Sequence, residues 1–228
     1  MTLMTKKKVL VLGGKGEIGS AISSRFIELG YEVTSVGRQE FDLTDFSQID
    51  HYFSLYPLDF DILVHSGGYN VPKIFEDLSD QEIRHALNAN LMGFLDVVRH
   101  CLPYWKSSCA GRIVVLSSLY GSFGRRGRLP YVMSKHALNG AVKTLAIELA
   151  AHGVLVNSVS PGYIATDLTF RNNKPHEIEK LTAGIPLGRL GDPSEIAKVV
   201  EFLCSDLNTY INGQDLVVDG GFSVGGFQ

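Results

Sequence analysis

A tyrosine and a lysine, Tyr131 and Lys135, stand four residues apart at the start of a segment with helical periodicity. In a helix this spacing places both side chains on one face, where they can interact. A free phenol has a pKa of about 10, which is too high for a base at neutral pH, and a nearby ammonium lowers that pKa. The pair could therefore exchange a proton with a substrate oxygen.

Two further polar positions could act with this pair. Ser117 and Ser118 follow the apolar run Ile113 to Leu116, at the carboxyl end of a predicted strand, which is the edge where open α/β sheets bind ligands. A hydroxyl there could polarise a substrate oxygen. Asn90 lies inside a long helical segment although asparagine is a poor helix former, so its presence indicates a role other than helix propensity.

A glycine-rich turn, Gly13 to Gly19 (GGKGEIG), lies between the first predicted strand and a predicted helix. Glycine lets the backbone approach a pyrophosphate, whose charge then meets free N–H groups and the positive end of the helix dipole. A tight structural turn is the alternative, and the position favours nucleotide binding. Arg38 ends the second strand, and no acid precedes it. Because a cation at this position can bind the 2′-phosphate of the adenosine ribose, Arg38 together with Lys15 favours NADP(H) over NAD(H). The alternative is a solvated arginine at the end of a strand.

These residues require a fold that brings strand ends and helix starts together. Apolar runs of strand length alternate with helical segments, which predicts an α/β protein with a doubly wound parallel sheet, the Rossmann fold, in a single domain over residues 1–228. The predicted strands are Lys8 to Gly13, Glu32 to Gly37, Asp61 to Ser66, Arg112 to Ser117, Leu155 to Ser160 and Asp215 to Val218. The predicted helices are Glu17 to Leu29, Asp80 to Trp105, Tyr131 to Ala151 and Ser194 to Leu203.

One interval does not fit this alternation. Only a few residues separate Gly37 from the strand-like residues Phe41 to Leu43, too few for the helix that usually joins parallel strands. Either a crossover helix is missing here or one of the strands is assigned wrongly.

The composition excludes several classes of protein. With 21 Lys and Arg against 24 Asp and Glu, the net charge of −3 does not indicate a nucleic-acid or membrane-surface protein. Cys101, Cys109 and Cys204 lack paired-ligand spacing, which predicts buried thiols in a cytoplasmic protein and no metal site. Residues 1–7 are interpreted as a frayed terminus, without a signal or membrane segment.

Together these motifs resemble the short-chain dehydrogenase/reductase family, closest in style to bacterial β-ketoacyl carrier-protein reductases, from Val9 to Gly221. The matching features are the glycine turn, Asp42-Leu43, Asn90 in NANLMG, Ser118 in VVLSSLYG, Tyr131 and Lys135 in YVMSK, Pro161-Gly162 with Ile164 and Thr166, and INGQDLVVDGG. The family's serine precedes its tyrosine by about the interval seen here, so Ser118 rather than Ser117 is the match.

The resemblance implies a mechanism. Tyr131 would be the general acid in carbonyl reduction, while Lys135 would lower its pKa and hold the nicotinamide ribose. Ser118 would polarise the carbonyl, and Asn90 would disturb its helix so that a water connects Lys135 to solvent. A homotetramer and a mobile substrate lid at residues 165–184 are also implied. The implied cofactor contacts are Gly13, Lys15, Gly16, Ile18, Gly19, Arg38, Asp42, Leu43, Gly67, Tyr131, Lys135, Pro161, Gly162, Ile164 and Thr166.

Some residues depart from the family's pattern. Glu17 occupies the place of the middle glycine, where its carboxylate would repel a pyrophosphate unless it turns away. His65-Ser66-Gly67-Gly68 replaces Asn-Asn-Ala-Gly; His65 is interpreted as a hydrogen-bonded strand-end residue, with a substrate or proton-relay role as the alternative. Arg125, Arg126 and Arg128 could receive an anionic substrate or the acidic face of a carrier protein, or form a solvated or interface loop.

The sequence therefore predicts an NADP(H)-dependent carbonyl reductase or alcohol dehydrogenase for a carbonyl or acyl-type substrate. A sugar-nucleotide epimerase or dehydratase is a second hypothesis, suggested by the glycine spacing and weakened because those proteins usually add a C-terminal substrate domain. A nucleotide-sensing regulator without turnover is a third hypothesis, weakened by the complete set of catalytic-type residues.

Overall fold

The computed structural model describes residues 6–56 and 58–225. Within them six strands form one parallel sheet in the order β2-β1-β3-β4-β5-β6. The strands are β1 Lys8–Leu12, β2 Glu32–Val36, β3 Ile62–His65, β4 Gly111–Leu116, β5 Val154–Pro161 and β6 Asp215–Val218. The chain changes direction across the sheet between β1 and β3, and open α/β sheets bind ligands at such a switch point. The predicted doubly wound sheet is thus confirmed.

Helices cover both faces of the sheet. They are α1 Glu17–Glu28, α2 Phe46–Leu55, α3 Asp80–Leu87, α4 Gly93–Ser108, α5 Leu129–Leu149, α6 Asp167–Asn172, α7 Pro175–Ala183, α8 Pro193–Cys204 and α9 Phe222–Gly225. Leu10 and Leu12 of β1 belong to a core with α2, α4 and α5, whereas Val9 and Val11 belong to a core with α1 and α8. This alternation explains why a strand buried on both faces has a continuous apolar sequence.

The interval after β2 differs from the prediction. Phe41 to Leu43 form no strand, and α2, which the prediction missed, joins β2 to β3. The carboxylate of Asp45 caps α2 by accepting the backbone N–H groups of Ser47 and Gln48. Phe41 is only 3% exposed because it packs in the core, which accounts for its strand-like pattern.

The segment predicted as one helix from Asp80 to Trp105 is two helices, α3 and α4, separated by a π-helical turn over Asn88–Met92. A π turn contains one more residue per hydrogen-bonded ring than an α-helix and is frequent at functional sites. The predicted bounds ran through the break because the apolar periodicity continues across it, although the family resemblance implied a disturbed helix at Asn90. The helix predicted from Tyr131 begins two residues earlier, at Leu129.

The start of the chain and the cysteines match the prediction only in part. Residues 1–5 of the predicted frayed terminus lie outside the described residues, and Lys7 is paired rather than free, with its ammonium bonded to Asp206. Cys101 and Cys204 are buried as predicted, but Cys109 is exposed where it ends α4. In the described parts of the chain, no helix is long and apolar enough to cross a membrane.

Candidate active site

Two adjoining cavities lie at the carboxyl ends of the strands. The glycine cavity, of about 490 Å³, lies against the turn after β1. The tyrosine cavity, of about 230 Å³, contains Ser118, Tyr131 and Lys135. The residues that line both cavities are Ile18, Ser66, Gly67, Gly68, Thr166 and Leu168. The two cavities therefore form one continuous cleft.

Nearly every predicted site residue lines this cleft. The glycine cavity is lined by Gly13, Lys15, Gly16, Ile18, Gly19, Arg38, Asp42, Leu43, Gly67 and Thr166. The tyrosine cavity is lined by Ser118, Tyr131, Lys135, Pro161, Gly162 and Ile164. Asn90 is fully buried instead, so any effect it has on the cleft passes through its neighbours.

The serine, tyrosine and lysine of the tyrosine cavity converge at the end of β4. Ser118 follows that strand and lines the cavity with Tyr131 of α5, whose pKa the Ser118 hydroxyl lowers. One turn further along α5, Lys135 donates a 2.6 Å hydrogen bond from Nζ to the carbonyl oxygen of Leu116. Its Nζ lies 5.5 Å from the centroid of the Tyr131 ring. The structure therefore brings the three predicted groups together.

Burial controls the protonation of this group. It raises the pKa of Tyr131 above its ordinary value, and the Ser118 hydroxyl and the Arg128 guanidinium offset only part of that rise. Burial also lowers the pKa of Lys135 to about 8. Lys135 is not among the groups that lower the pKa of Tyr131 in this arrangement, where its ammonium is hydrogen-bonded to Leu116, and the expectation that it does so during the reaction stays a prediction. At neutral pH the phenol is protonated, as a proton donor must be.

Asn90 occupies the π turn between α3 and α4. Its amide nitrogen donates to the carbonyl oxygen of Tyr69 at 3.0 Å and to the hydroxyl of Ser134 at 2.8 Å. Its amide oxygen accepts the backbone N–H of Tyr69 at 2.6 Å. The helix is disturbed at Asn90 as expected, and the side chain joins the segment after β3 to α5.

The glycine turn has no room for side chains at two of its positions. Gly13 has a φ of +72°, and a Cβ there would lie 2.5 Å from the backbone nitrogen of Gly67. A Cβ on Gly19 would lie 2.2 Å from the carbonyl oxygen of Gly13. The first turn of α1 supplies N–H groups that have no helical partner. This cradle fits the pyrophosphate of a dinucleotide.

Two cations and two acids, Asp42 and Glu40, lie at the other end of the glycine cavity. Lys15 and Arg38 line it as predicted. Glu40, which the sequence analysis missed, accepts the backbone N–H of Gly37 at 2.7 Å, and its other oxygen lies 3.8 Å from Nζ of Lys15. Glu40 was missed because it follows Arg38 in the sequence and reaches the ribose end only by folding back onto Gly37.

Glu17 is directed toward the segment that follows β5. Its carboxylate accepts the backbone N–H of Asp167, the first residue of α6, at 2.7 Å. A carboxylate at the N-terminal end of a helix is favourably placed, because the N–H groups there carry partial positive charge. The acid at the position of the middle glycine is therefore bonded to α6, and it remains part of the lining of the glycine cavity.

His65, at the end of β3, is fully buried and stacks on Phe94 with ring centroids 5.2 Å apart. Its Nε2 is hydrogen-bonded to the carbonyl oxygen of Asn90 at 3.1 Å. Burial, together with the charge of Lys135, lowers the pKa of His65 to about 3. The interpretation of His65 as a hydrogen-bonded strand-end residue is confirmed, and its imidazole is neutral at physiological pH.

We expect His65 to make the protein acid-labile. Its pKa of about 3 in the folded state lies below the ordinary value of 6.5, so only the unfolded chain takes up this proton as the pH falls between them. The free energy of unfolding should therefore fall by about 2 kcal/mol between pH 7.5 and pH 5. Urea unfolding at several pH values measures this slope. His65→Asn cannot take up the proton, so an equally steep slope in that variant would contradict the assignment.

The predicted lid segment, residues 165–184, contains α6 and α7. Leu168 and Arg171 of α6 line the glycine cavity. Thr169, Asn172 and Asn173 line the tyrosine cavity. Because this one segment borders both cavities, it can respond to what occupies either of them.

Two tyrosines that the sequence analysis missed also line the tyrosine cavity. The hydroxyl groups of Tyr120 and Tyr163 are 3.1 Å apart, and Arg125 donates to the Tyr163 hydroxyl at 3.0 Å. Arg128 donates to the side-chain oxygen of Asn70 at 2.9 Å. Tyr120 and Tyr163 lie inside the motifs SSLYG and PGYIAT, so their positions beside predicted site residues were the available signal.

Known proteins share this architecture. A family model described as enoyl-(acyl carrier protein) reductase matches residues 34–223. The glucose 1-dehydrogenase of Gluconobacter oxydans is 32% identical over 96% of this chain and 93% of its own length. The 3-oxoacyl-[acyl-carrier-protein] reductase of Aquifex aeolicus is 37% identical over 93% of this chain and 86% of its own.

A solved structure of 4-hydroxyisoleucine dehydrogenase complexed with NADH matches with a TM-score of 0.90 and 27% identity, covering 96% of this chain and 100% of that one. Its parallel sheet with flanking helices is the fold described above. These matches agree with the glycine cradle and the serine, tyrosine and lysine at the end of β4. The chain therefore belongs to the short-chain dehydrogenase/reductase family, whose members are oxidoreductases that transfer hydride between a nicotinamide cofactor and a substrate.

Proposed function

We propose that this enzyme is an NADP(H)-dependent carbonyl reductase or secondary-alcohol dehydrogenase with Tyr131 as its acid and base. The observation that carries the proposal is that Ser118, Tyr131 and Lys135 line one cavity, which is continuous with the glycine cradle. A cofactor whose pyrophosphate lies on the cradle can extend into that cavity. When bound, it supplies or accepts the hydride at the substrate carbon.

The protein's own groups act on the substrate oxygen. In reduction Tyr131 donates its proton to the oxygen as hydride reaches the carbon, and the Ser118 hydroxyl stabilises the developing alkoxide. Lys135, freed from Leu116, would then hold the ribose and stabilise the phenolate that remains. Asn90 would hold Ser134 and the segment around Tyr69, keeping open a path by which the proton is replaced. Residues 165–184 would close over the substrate as its lid.

The preference for NADP(H) rests on Arg38 and Lys15. Both cations line the end of the glycine cavity where the adenosine ribose of a dinucleotide would lie, and a 2′-phosphate needs such partners. Glu40 opposes this charge, because its carboxylate lies within 3.8 Å of the Lys15 ammonium. NAD(H) is the weaker alternative, and the balance between Arg38 and Glu40 decides between the two.

We expect Arg38→Ala to weaken NADPH binding by about tenfold or more and to leave NADH binding nearly unchanged, because only NADPH carries the phosphate. Glu40→Gln should strengthen NADPH binding by several-fold, since it removes a repulsive charge and keeps a side-chain oxygen for the Gly37 N–H. Titrations of the wild type and of both variants with NADPH and NADH, followed by nicotinamide fluorescence, measure the six dissociation constants. Equal weakening of both cofactors by Arg38→Ala would refute the phosphate contact.

The substrate is proposed to be a small carbonyl or acyl compound, either anionic or bound to a carrier. A ketone and ketoacyl panel, followed by NADPH absorbance, tests the activity itself. As the family resemblance implies, we also propose a homotetramer in the cytoplasm. Light scattering on the purified enzyme gives the assembled mass, and fractionation of expressing cells gives the compartment.

A further inference from the structure

The tyrosine cavity contains a cation whose charge the proposed reaction does not require. Arg128 is half-buried, lines the cavity together with Ser118 and Tyr131, and donates from Nη1 to Asn70 at 2.9 Å. Asn70 lines the same cavity. The bond to a neutral amide orients the guanidinium without neutralising it.

No carboxylate neutralises this charge within residues 6–56 and 58–225. The salt bridges found there include none to Arg128 or to Arg125, the second guanidinium of the cavity. Burial lowers the pKa of Arg128, and Arg125 adds repulsion to this effect, while the opposing influences come from the tyrosines around it. Holding two like charges together in a partly buried cavity costs free energy unless an anion is bound there.

The two arginines differ in the contacts that their guanidinium groups make with the protein. Arg125 is exposed, donates to the Tyr163 hydroxyl and lies over the Tyr120 ring at 5.8 Å from its centroid. Arg128 makes one side-chain hydrogen bond, through Nη1, in the described structure. A guanidinium presents five N–H donors in a planar fork that matches a carboxylate. Most of the N–H donors of Arg128 are therefore available to bind a ligand.

From this geometry we propose that Arg128 binds a carboxylate on the substrate, so that the enzyme acts on small oxo or hydroxy acids. The inference rests on the proposed reaction at Tyr131 and adds the substrate class to it. Arg128 precedes Tyr131 by three residues, at the start of the same helix, so the carboxylate and the carbonyl would be held by one rigid element. Asn70 would position the guanidinium, while Tyr120 and Tyr163 line the cavity beside it.

A carrier protein is the competing partner for these arginines. Carrier docking would use surface charge, and the exposed Arg126 of the same loop would contribute to it. Arg126 lines a separate outer cavity with Lys73 and Phe75 and is absent from the tyrosine cavity. It therefore offers a matched control, because Arg126→Gln removes the same charge from the same loop outside the reaction site.

The experiment compares the wild type with Arg128→Gln, Arg128→Lys and Arg126→Gln. The probes are pyruvate, acetoacetate and levulinate, which carry the ketone at increasing distance from the carboxylate, and their neutral methyl esters. Calorimetric titration of each probe into the enzyme saturated with NADP⁺ measures binding without turnover, because a ketone cannot be oxidised by that cofactor. The ratio of kcat/KM for each acid and its ester, measured with NADPH, is the second readout.

We expect at least one acid to bind the wild type about tenfold to a hundredfold more tightly than its ester. Arg128→Gln should abolish that preference, Arg128→Lys should keep part of it, and Arg126→Gln should keep all of it. Equal binding of acids and esters, failure of every acid to bind, or an unchanged preference in Arg128→Gln would overturn the proposal. So would a strong preference for an acetoacetyl carrier-protein thioester that Arg126→Gln weakens as much as Arg128→Gln. If acids bind through Arg128 but no probe is reduced, the proposed reaction fails and the carboxylate site stands.

Discussion

Replacing Tyr131 with phenylalanine should lower kcat for ketone reduction by about a hundredfold to ten-thousandfold, the range expected for loss of a positioned general acid. The substitution removes one oxygen from a half-buried ring that lines the same cavity as Ser118 and Lys135. Steady-state rates with NADPH and the best substrate of the panel measure the effect. The dissociation constant for NADPH should change little, because the cradle is untouched.

Tyr120→Phe is the matched control for this prediction. It removes a phenolic oxygen from the same cavity, 6.3 Å away between ring centroids, and that oxygen is bonded to Tyr163 rather than to Ser118. Its effect on kcat should be far smaller than that of Tyr131→Phe. If the two variants were equally active, or if Tyr131→Phe stayed within a few-fold of the wild type, Tyr131 would not be the acid.

Replacing Lys135 with methionine should change activity and stability in opposite directions. Activity should fall by a factor similar to that for Tyr131→Phe, because the phenolate left after proton transfer loses its counter-charge. Stability of the cofactor-free enzyme should rise, because Lys135 is 3% exposed and keeps its charge only at a cost. The lowered pKa of about 8 corresponds to a cost of about 3 kcal/mol at neutral pH.

The pH dependence of unfolding distinguishes this cost from a packing effect. Between the folded pKa of about 8 and the ordinary value of 10.5, the unfolded chain holds the Lys135 proton more tightly than the folded one. Stability of the wild type should therefore increase as the pH rises through this window. Urea unfolding at pH 7, 8, 9 and 10 should show that increase in the wild type and lose most of it in Lys135→Met. A parallel increase in both proteins would refute the buried charge.

The sequence predicted the features that depend on local pattern. Apolar runs identified all six strands, and the runs are nearly continuous in β1, β3 and β4 because both faces of these strands are buried. The motifs around Ser118, Tyr131 and Lys135 located groups that the fold does bring together. In these cases short-range chemistry and position along a strand or helix were sufficient.

The features that depend on contacts between distant residues were missed. The hydrogen-bond partner of Glu17 is the backbone N–H of Asp167, 150 residues later, and nothing in the glycine turn indicates this contact. The raised pKa of Tyr131 follows from burial, which the four-residue spacing does not contain. Phe41 resembled a strand residue because core packing and sheet pairing select the same apolar side chains.

The short connection between β2 and α2 places residues that select the cofactor where they contribute little to the stability of the fold. Arg38 and Glu40 lie on this connection, exposed and outside both hydrophobic cores, whereas the cradle glycines are enclosed by backbone atoms. Exposed substitutions away from buried networks usually change stability by about 0.5 kcal/mol or less. Side chains at the adenosine end of the cleft can therefore vary with little loss of stability. At the pyrophosphate end, the cradle glycines tolerate almost no substitution.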